Sequence, residues 1–152
     1  MTTTRLVQIR TAAATWEGDL LSGAGTINSV GSGAFSDLPV TWRARTEASE
    51  GKTSPEELLA AAHAACFSMA LSSRLAKAGS PAEHLAVGAT VTFEKQEAGW
   101  KVISSALEVR GRVPGMDAAT FGALADDAKQ NCPISQALKG NVALSVDATL
   151  VD

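Results

Sequence analysis

The chain has 152 residues, of which 45% are hydrophobic, and a formal net charge of −3 with 13 basic residues. This length suits one domain with a substantial core and is short for two. The net charge is negative, whereas nucleic-acid binders typically carry an excess of basic residues. Apolar runs end before the ~18 residues of a membrane span, and the first residues have no secretory pattern. A single cytoplasmic domain, residues 1–152, is therefore predicted, with no nucleic-acid or membrane partner.

Residues 5–50 predict short strands, because glycine and serine recur every few residues from position 18 to position 36. The stretch PVTWRART at 39–46 predicts another strand, since residues alternate between the two faces of a strand. One face of this strand would carry Val40, Trp42 and Ala44, and the other Thr41, Arg43 and Arg45.

A long helix is predicted from residue 54. Ser54 is suited to the N-cap and Pro55 to the first helical position. Glu57 is suited to the third helical position, where it completes an S-x-x-E capping box with Ser54. Gly79 and Pro81 end the pattern, which gives a length of about 36 Å at 1.5 Å per residue. Apolar residues occupy most of the circumference, and such a helix is expected to be buried nearly all round.

The second half of the chain predicts two long strands, two helices and a final strand. Alternating runs on either side of residues 97–99 indicate a hairpin, and Asp117 caps the helix that follows. A short helix restarts with Cys132 at its cap and Pro133 at its first position. The fold class is α+β, with antiparallel β-sheets packed on a long central helix and on a second helix.

Two cysteines in a reducing compartment are either inert small hydrophobes or redox and catalytic groups. At a helix N-terminus, Cys132 faces N–H groups that favour the thiolate, although a poor but tolerated cap explains it equally well. Cys66 lies in mid-helix, where a thiolate requires a cation from elsewhere. Arg43 and Arg45 are the candidates for that cation, and the alternative is that both are simply solvated.

The sequence predicts neither a metal nor a cofactor. Its two cysteines and two histidines lack the spacing of zinc ligands. Phosphate-loop and nucleophile-elbow motifs are also absent.

Several motifs together resemble the osmotically inducible protein C branch of the OsmC/Ohr (organic hydroperoxide resistance) family. They are TSPEELLAAAHAACFSMALS, NCPIS, TWEGDLLSGAGT and VPGMDAATF, and the likeness extends over nearly the whole chain. The resemblance implies an OsmC-like fold and an intertwined homodimer. It also implies a peroxidase that reduces organic hydroperoxides with a pair of reactive cysteines in stress defence.

The resemblance assigns roles to four residues. Cys66 matches the peroxidatic cysteine, Cys132 the resolving cysteine and Glu56 the active-site glutamate. Arg45 is the better match for the active-site arginine and Arg43 the reserve, because the segment before the helix is one residue longer than usual. An organic hydroperoxide is the implied substrate, and a thiol such as a dihydrolipoyl group is the implied reductant.

Ten residues of straight helix correspond to about 15 Å of rise, so Glu56 does not reach Cys66 of the same helix unless the helix kinks. The alternative is that an arginine–glutamate pair reaches the thiol from another subunit, which the implied homodimer favours. His63 is interpreted as a partly buried histidine bonded to the backbone, and a base for the thiol is the alternative. An apolar access path for the peroxide and plain core packing both explain Phe67, Met69 and Ile134.

Two other functions are compatible with the sequence. A general thiol–disulfide oxidoreductase would act on protein disulfides without selectivity for peroxides. A non-enzymatic stress protein would hold both cysteines buried and inert.

Overall fold

A computed structural model describes residues 3–152. The chain divides into two compact units, Met1–Pro55 and Glu56–Asp152. The grouping of both units into one OsmC-like domain stays a prediction.

The first unit contains an antiparallel sheet of three strands in the order β1-β2-β3. The register between β1 and β2 shifts between Ala13 and Ala14, where β2 has one extra residue, Asn28. The prediction of short strands in this region is confirmed, with β1 at Ala12–Glu17, β2 at Ala24–Val30 and β3 at Ser36–Val40.

The prediction of a strand over 39–46 is confirmed for Pro39 and Val40, which end β3, and wrong for Trp42–Thr46, which forms a short helix, α1. Thr41 is its N-cap, and the Thr41 hydroxyl accepts a hydrogen bond from the Ala44 N–H at 3.0 Å. The Thr46 hydroxyl donates to the Trp42 carbonyl at 2.9 Å. Such local bonds between side chain and backbone outweigh the weak strand preference of a short segment. Arg43 and Arg45 therefore lie two positions apart on a helix and do not share a face.

The second unit confirms the predicted helix–hairpin–helix order. The long helix begins at Pro55 and ends at Lys77, close to the predicted bounds. Asp117 caps the second helix by accepting from the Thr120 N–H at 2.8 Å, as predicted. The elements are α2 at Pro55–Lys77, β4 at His84–Gln96, β5 at Gly99–Arg112, α3 at Ala118–Asn131, α4 at Pro133–Leu138 and β6 at Ala143–Leu150.

The sheet of the second unit has the order β4-β5-β6, and its last pair departs from the predicted antiparallel arrangement. β4 and β5 are antiparallel, whereas β5 and β6 are parallel. The cause is the connection, since α3 and α4 lie between β5 and β6 and bring the chain back to the end at which β5 began.

The core of the second unit lies between α2, β5 and α3. One face of α2 contributes Phe67, Leu71 and Leu75, all fully buried, and these pack with Leu107, Val109, Phe121, Ala125 and Ala128. The opposite face carries Ala61, Ala65 and Met69, which are exposed. The prediction of a helix buried nearly all round is therefore not met within this unit, because only one side of α2 faces β5 and α3.

Among residues 3–152, α2 is long and apolar enough to cross a membrane by length and composition alone, which the sequence analysis did not expect of any segment. Core helices of soluble proteins meet the same criterion, and one face of α2 packs in the core.

Gly111 on β5 leaves room for a core aromatic ring. A Cβ at this position would lie 2.6 Å from Phe121 Cζ and 2.9 Å from Phe121 Cε2. Because the Phe121 ring is buried and has little space to move, we expect Gly111→Ala to lower the free energy of unfolding by about 1–3 kcal/mol. Urea unfolding followed by circular dichroism measures the change.

Gly88→Ala on the neighbouring strand β4 is the matched control. Nothing lies within 4 Å of a Cβ built there, so its free energy of unfolding should change by less than about 0.5 kcal/mol. Equal effects of the two substitutions would contradict the packing argument.

Candidate active site

Cys132 occupies the junction of two helices. It is the C-cap of α3 and the N-cap of α4, and its φ of −64° and ψ of 141° are those of extended backbone. The Ser135 N–H donates to Cys132 Sγ at 3.4 Å, and Pro133 is the first residue of α4. The prediction of Cys132 as a cap is confirmed.

The structure brings Cys66 and Cys132 together, although 65 residues separate them in the sequence. Both are free thiols; Cys66 is half-buried and Cys132 is fully buried. Burial raises the pKa of Cys66, the backbone N–H of Ile134 lowers it, and the neighbouring Cys132 raises it further. The net direction is upward, so within one chain Cys66 is held as a thiol.

The first N–H groups of α4 therefore serve both thiols. The Ser135 N–H bonds to Cys132 and the Ile134 N–H interacts with Cys66. N–H groups in the first turn of a helix have no acceptor within the helix, so that they are available to side chains.

His63 lies one turn before Cys66 on α2 and is fully buried. Its Nδ1 lies 2.6 Å from Ser105 Oγ on β5, and its Nε2 lies 2.8 Å from Ser135 Oγ on α4. Ser135 Oγ is also 3.0 Å from Cys132 Sγ. Burial lowers the pKa of His63, which keeps the imidazole neutral near pH 7. A continuous row of hydrogen bonds thus runs from Ser105 through His63 and Ser135 to Cys132.

The interpretation of His63 as partly buried and bonded to the backbone is wrong. Its partners are two serine hydroxyls, at positions 105 and 135, far from it in sequence. Neither serine stands in a pattern that marks it as a histidine partner. The one available signal was a histidine on a mostly apolar helix, since a buried imidazole requires hydrogen-bond partners.

The two candidate arginines differ in their surroundings on α1. Arg43 is exposed and its Nε bonds to the Glu47 carboxylate at 3.0 Å. Arg45 is half-buried, and its Cζ lies 5.7 Å from the centroid of the Trp42 ring. A cation held against an aromatic face is better positioned for a fixed role than one in a solvated pair. This difference favours Arg45 over Arg43 as the active-site arginine.

Glu56 is 8% exposed, at the start of α2. Because one uninterrupted helix carries both Glu56 and Cys66, their separation along the axis is about 15 Å. The carboxylate therefore does not contact the thiol of the same chain. The roles of Arg45 and Glu56 stay predictions.

The three apolar neighbours of the cysteines do not share one environment. Phe67 is fully buried in the core, Ile134 packs at its edge, and Met69 is 71% exposed. Core packing is sufficient for Phe67, and Met69 belongs to the exposed face of α2. Within residues 3–152, no group of three or more His, Cys, Asp or Glu side chains is placed to hold a metal ion.

Comparison with known proteins places the chain among the α+β proteins of one family. A model of the OsmC-like protein family matches residues 48–147. The crystal structure of the organic hydroperoxide resistance protein OhrB of Bacillus subtilis superposes with a TM-score of 0.70 at 26% identity, over 91% of this chain and 98% of that one.

Two relatives are similar in sequence over most of their length. Peroxiredoxin OsmC of Escherichia coli (strain K12) is 44% identical over 129 residues, which cover 85% of this chain and 89% of that protein. Organic hydroperoxide resistance protein OhrA of Bacillus subtilis (strain 168) is 34% identical over 113 residues, which cover 73% and 77%. The chain belongs to the OsmC-like protein family.

Cys132→Ser should lower the pKa of Cys66. Burial, the largest cause of the raised pKa, stays in the variant, but the smaller contribution of Cys132 is removed, and the serine hydroxyl can donate to the Cys66 thiolate. Alkylation by iodoacetamide at pH 7 should therefore be faster at Cys66 in the variant, because the thiolate is the reactive form. Mass spectrometry of the Cys66 peptide across a pH series measures the midpoint.

The Ser68→Ala variant serves as the control, since Ser68 lies on the same helix and bonds to the Ala65 carbonyl. An alkylation midpoint in Cys132→Ser equal to or above that of the wild type would contradict the interaction between the thiols.

Proposed function

We propose that this protein is a cysteine-based peroxidase that reduces organic hydroperoxides, and more weakly inorganic ones, to alcohols in stress defence. The observation that carries the proposal is the pair of free thiols in the second unit, with Cys66 half-buried and Cys132 fully buried beside it. The names of the relatives, peroxiredoxin and organic hydroperoxide resistance protein, support the same chemistry.

Cys66 is assigned the first step because it is the more accessible thiol. Its thiolate attacks the terminal oxygen of the hydroperoxide, the O–O bond breaks, and the products are an alcohol and a Cys66 sulfenic acid. The thiolate sulphur supplies the two electrons that reduce the O–O bond, and the organic group leaves with the alcohol, so this step uses no metal or cofactor.

Cys132 is assigned the second step. Its thiol condenses with the sulfenic acid, giving a Cys66–Cys132 disulfide and water. A dithiol such as a dihydrolipoyl group then reduces the disulfide by exchange. A cytoplasmic location is consistent with this need for a thiol reductant.

Arg45 is the proposed source of the charge that Cys66 lacks within one chain. Because burial and Cys132 raise the pKa of Cys66, the thiolate requires a cation near the sulphur. Arginine remains charged and has fixed N–H donors for a thiolate and a peroxide oxygen, and a carboxylate such as Glu56 can hold it in place.

A homodimer is the proposed arrangement that provides this cation. The exposed face of α2, formed by Ala61, Ala65 and Met69, is an apolar surface suited to a second copy of the chain. Small side chains on this face permit a close approach. The Arg45–Glu56 pair of one subunit would then lie near Cys66 of the other. The axial separation of about 15 Å between Glu56 and Cys66 on one helix would no longer prevent the contact.

The division of labour between the thiols is tested by single turnover. Pre-reduced wild-type protein should consume one equivalent of cumene hydroperoxide and lose both thiols. Cys66→Ser should consume none, whereas Cys132→Ser should consume about one equivalent and stop as sulfenic acid. Stopped-flow spectroscopy measures the peroxide consumed, and a thiol titration measures the cysteines that remain reduced.

An unchanged peroxide concentration with wild-type protein would exclude the peroxidase and favour an inert stress protein. Rapid reduction of a protein disulfide by the same sample, without peroxide loss, would indicate a general oxidoreductase instead. First turnover retained by Cys66→Ser and lost by Cys132→Ser would reverse the two roles.

The shared site is tested with a mixed dimer. One subunit carries Cys66→Ser and the other Arg45→Ala, so that shared sites restore one complete site per dimer. Turnover should recover to about half that of the wild type, as expected for one intact site of two. Peroxide consumption is measured on a sample in which mass spectrometry has verified the mixed dimer.

Arg43→Ala is the matched control for Arg45→Ala, since Arg43 is on the same helix and bonds to Glu47. Its homodimer should keep most of the wild-type turnover. A mixed dimer as inactive as its parents would contradict the shared site, and loss of activity in Arg43→Ala alone would transfer the role to Arg43.

A further inference from the structure

The hydrogen bonds around His63 end at the sulphur of the proposed resolving cysteine. Ser135 Oγ lies 3.0 Å from Cys132 Sγ and 2.8 Å from His63 Nε2, and all three side chains are fully buried. His63 Nδ1 is 2.6 Å from Ser105 Oγ. Among residues 3–152, no buried side-chain nitrogen or oxygen lacks a hydrogen-bond partner.

We propose that Ser135 and His63 form a proton relay that removes the thiol proton of Cys132 when Cys132 attacks oxidised Cys66. Ser135 touches the reacting sulphur, and His63 is a positioning residue that acts through Ser135. The inference rests on the proposed peroxidase function, which supplies the Cys66 sulfenic acid.

The same four groups satisfy their hydrogen bonds before and after proton transfer. Before transfer, the Cys132 S–H donates to Ser135 Oγ, the Ser135 O–H donates to His63 Nε2, and the Nδ1–H donates to Ser105 Oγ. After transfer, the imidazolium donates to both serines, and the Ser135 O–H donates to the Cys132 thiolate. No side chain has to change its position, because only protons move.

Atoms and electrons balance in this step. An electron pair of the Cys132 thiolate forms the S–S bond, and the S–O bond of the sulfenic acid breaks with its pair on the departing hydroxide. Cys132 is oxidised and the Cys66 sulphur is reduced. The departing hydroxide leaves as water with the proton that the imidazolium returns through Ser135, since His63 and Ser135 are fully buried and Cys132 lies against Cys66. The sum is thiol plus sulfenic acid giving disulfide plus water.

The groups that face the imidazole come from two other elements. Ser105 approaches from β5 and Ser135 from α4, with Cys132 beyond Ser135 and Cys66 one turn along α2. Burial lowers the pKa of His63, so the ring rests in the neutral form that can accept a proton. The charge pair formed on transfer, imidazolium and thiolate, has no net charge, which limits the cost of forming it inside the protein.

The test separates the two chemical steps in His63→Gln and Ser135→Ala. Each pre-reduced protein is mixed with one equivalent of cumene hydroperoxide, and quenched samples are analysed by mass spectrometry for sulfenic acid and disulfide. Peroxide consumption should stay within about twofold of the wild type. Disulfide formation should slow by about 10²-fold, the lower range for loss of general-base assistance. The slowing should shrink from pH 6 to pH 9, because hydroxide then replaces the relay.

Two further variants control the result. His84→Gln alters the chain's other histidine, which is exposed on β4, and should leave both steps unchanged. Ser135→Thr keeps a hydroxyl and should restore most of the disulfide rate. If His63→Gln does not fold, Ser135→Ala carries the test.

Wild-type rates of disulfide formation in His63→Gln or Ser135→Ala would overturn the relay and leave the peroxidase intact. A slowing that is the same at every pH would also overturn it, since loss of packing alone has no reason to depend on hydroxide. Wild-type protein that leaves the peroxide unconsumed would instead overturn the proposed function, and the relay with it.

Discussion

A buried imidazole whose two nitrogens both need partners is the constraint on which the site depends. His63 on α2 bonds to Ser105 on β5 and to Ser135 on α4, so that one side chain links three elements of the second unit. Leaving either nitrogen unpaired would cost about 1–3 kcal/mol, which adds to the packing of Phe67, Leu71 and Leu75 in setting the orientation of α2. Cys66, three residues further on, is then held beside the first turn of α4, where Cys132 is the cap.

Burial has opposite consequences for structure and for reactivity. It allows Cys132 to contribute to the core alongside Phe67 and Phe121, yet at Cys66 it raises the pKa and disfavours the thiolate. The Ile134 N–H acts in the other direction without reversing the shift. Under the proposed function, reactivity at Cys66 therefore calls for a positive charge near the sulphur, which an arginine of a second subunit would supply.

Short sequence patterns predicted most of this fold, whereas contacts between distant segments account for the features that the sequence did not predict. The start of α2 at Pro55, the Asp117 cap and the cap at Cys132 each depend on residues within four positions. The later part of the strand predicted over 39–46 is a helix, Trp42–Thr46, because the Thr41 hydroxyl caps its first turn. The parallel direction of β6 and the partners of His63 depend on how distant segments pack, which periodicity does not encode. The roles of the two cysteines were predicted from the family resemblance, whereas only the fold shows that they lie close together.

The two thiols lie in different backbone settings, and this difference suits their proposed order of action. Cys66 is fixed in the middle of a 23-residue helix, whereas Cys132 joins α3 to the six-residue α4 with an extended φ and ψ. A disulfide requires Cα atoms about 4.4–6.8 Å apart, so any adjustment falls on the junction. Forming the proposed disulfide would draw Cys132 Sγ away from the Ser135 hydroxyl and N–H, which it contacts as a free thiol. Ser135 then keeps its hydrogen bond to His63. The hydrogen bonds that accept the proton of Cys132 therefore stay in place after the sulphur has moved.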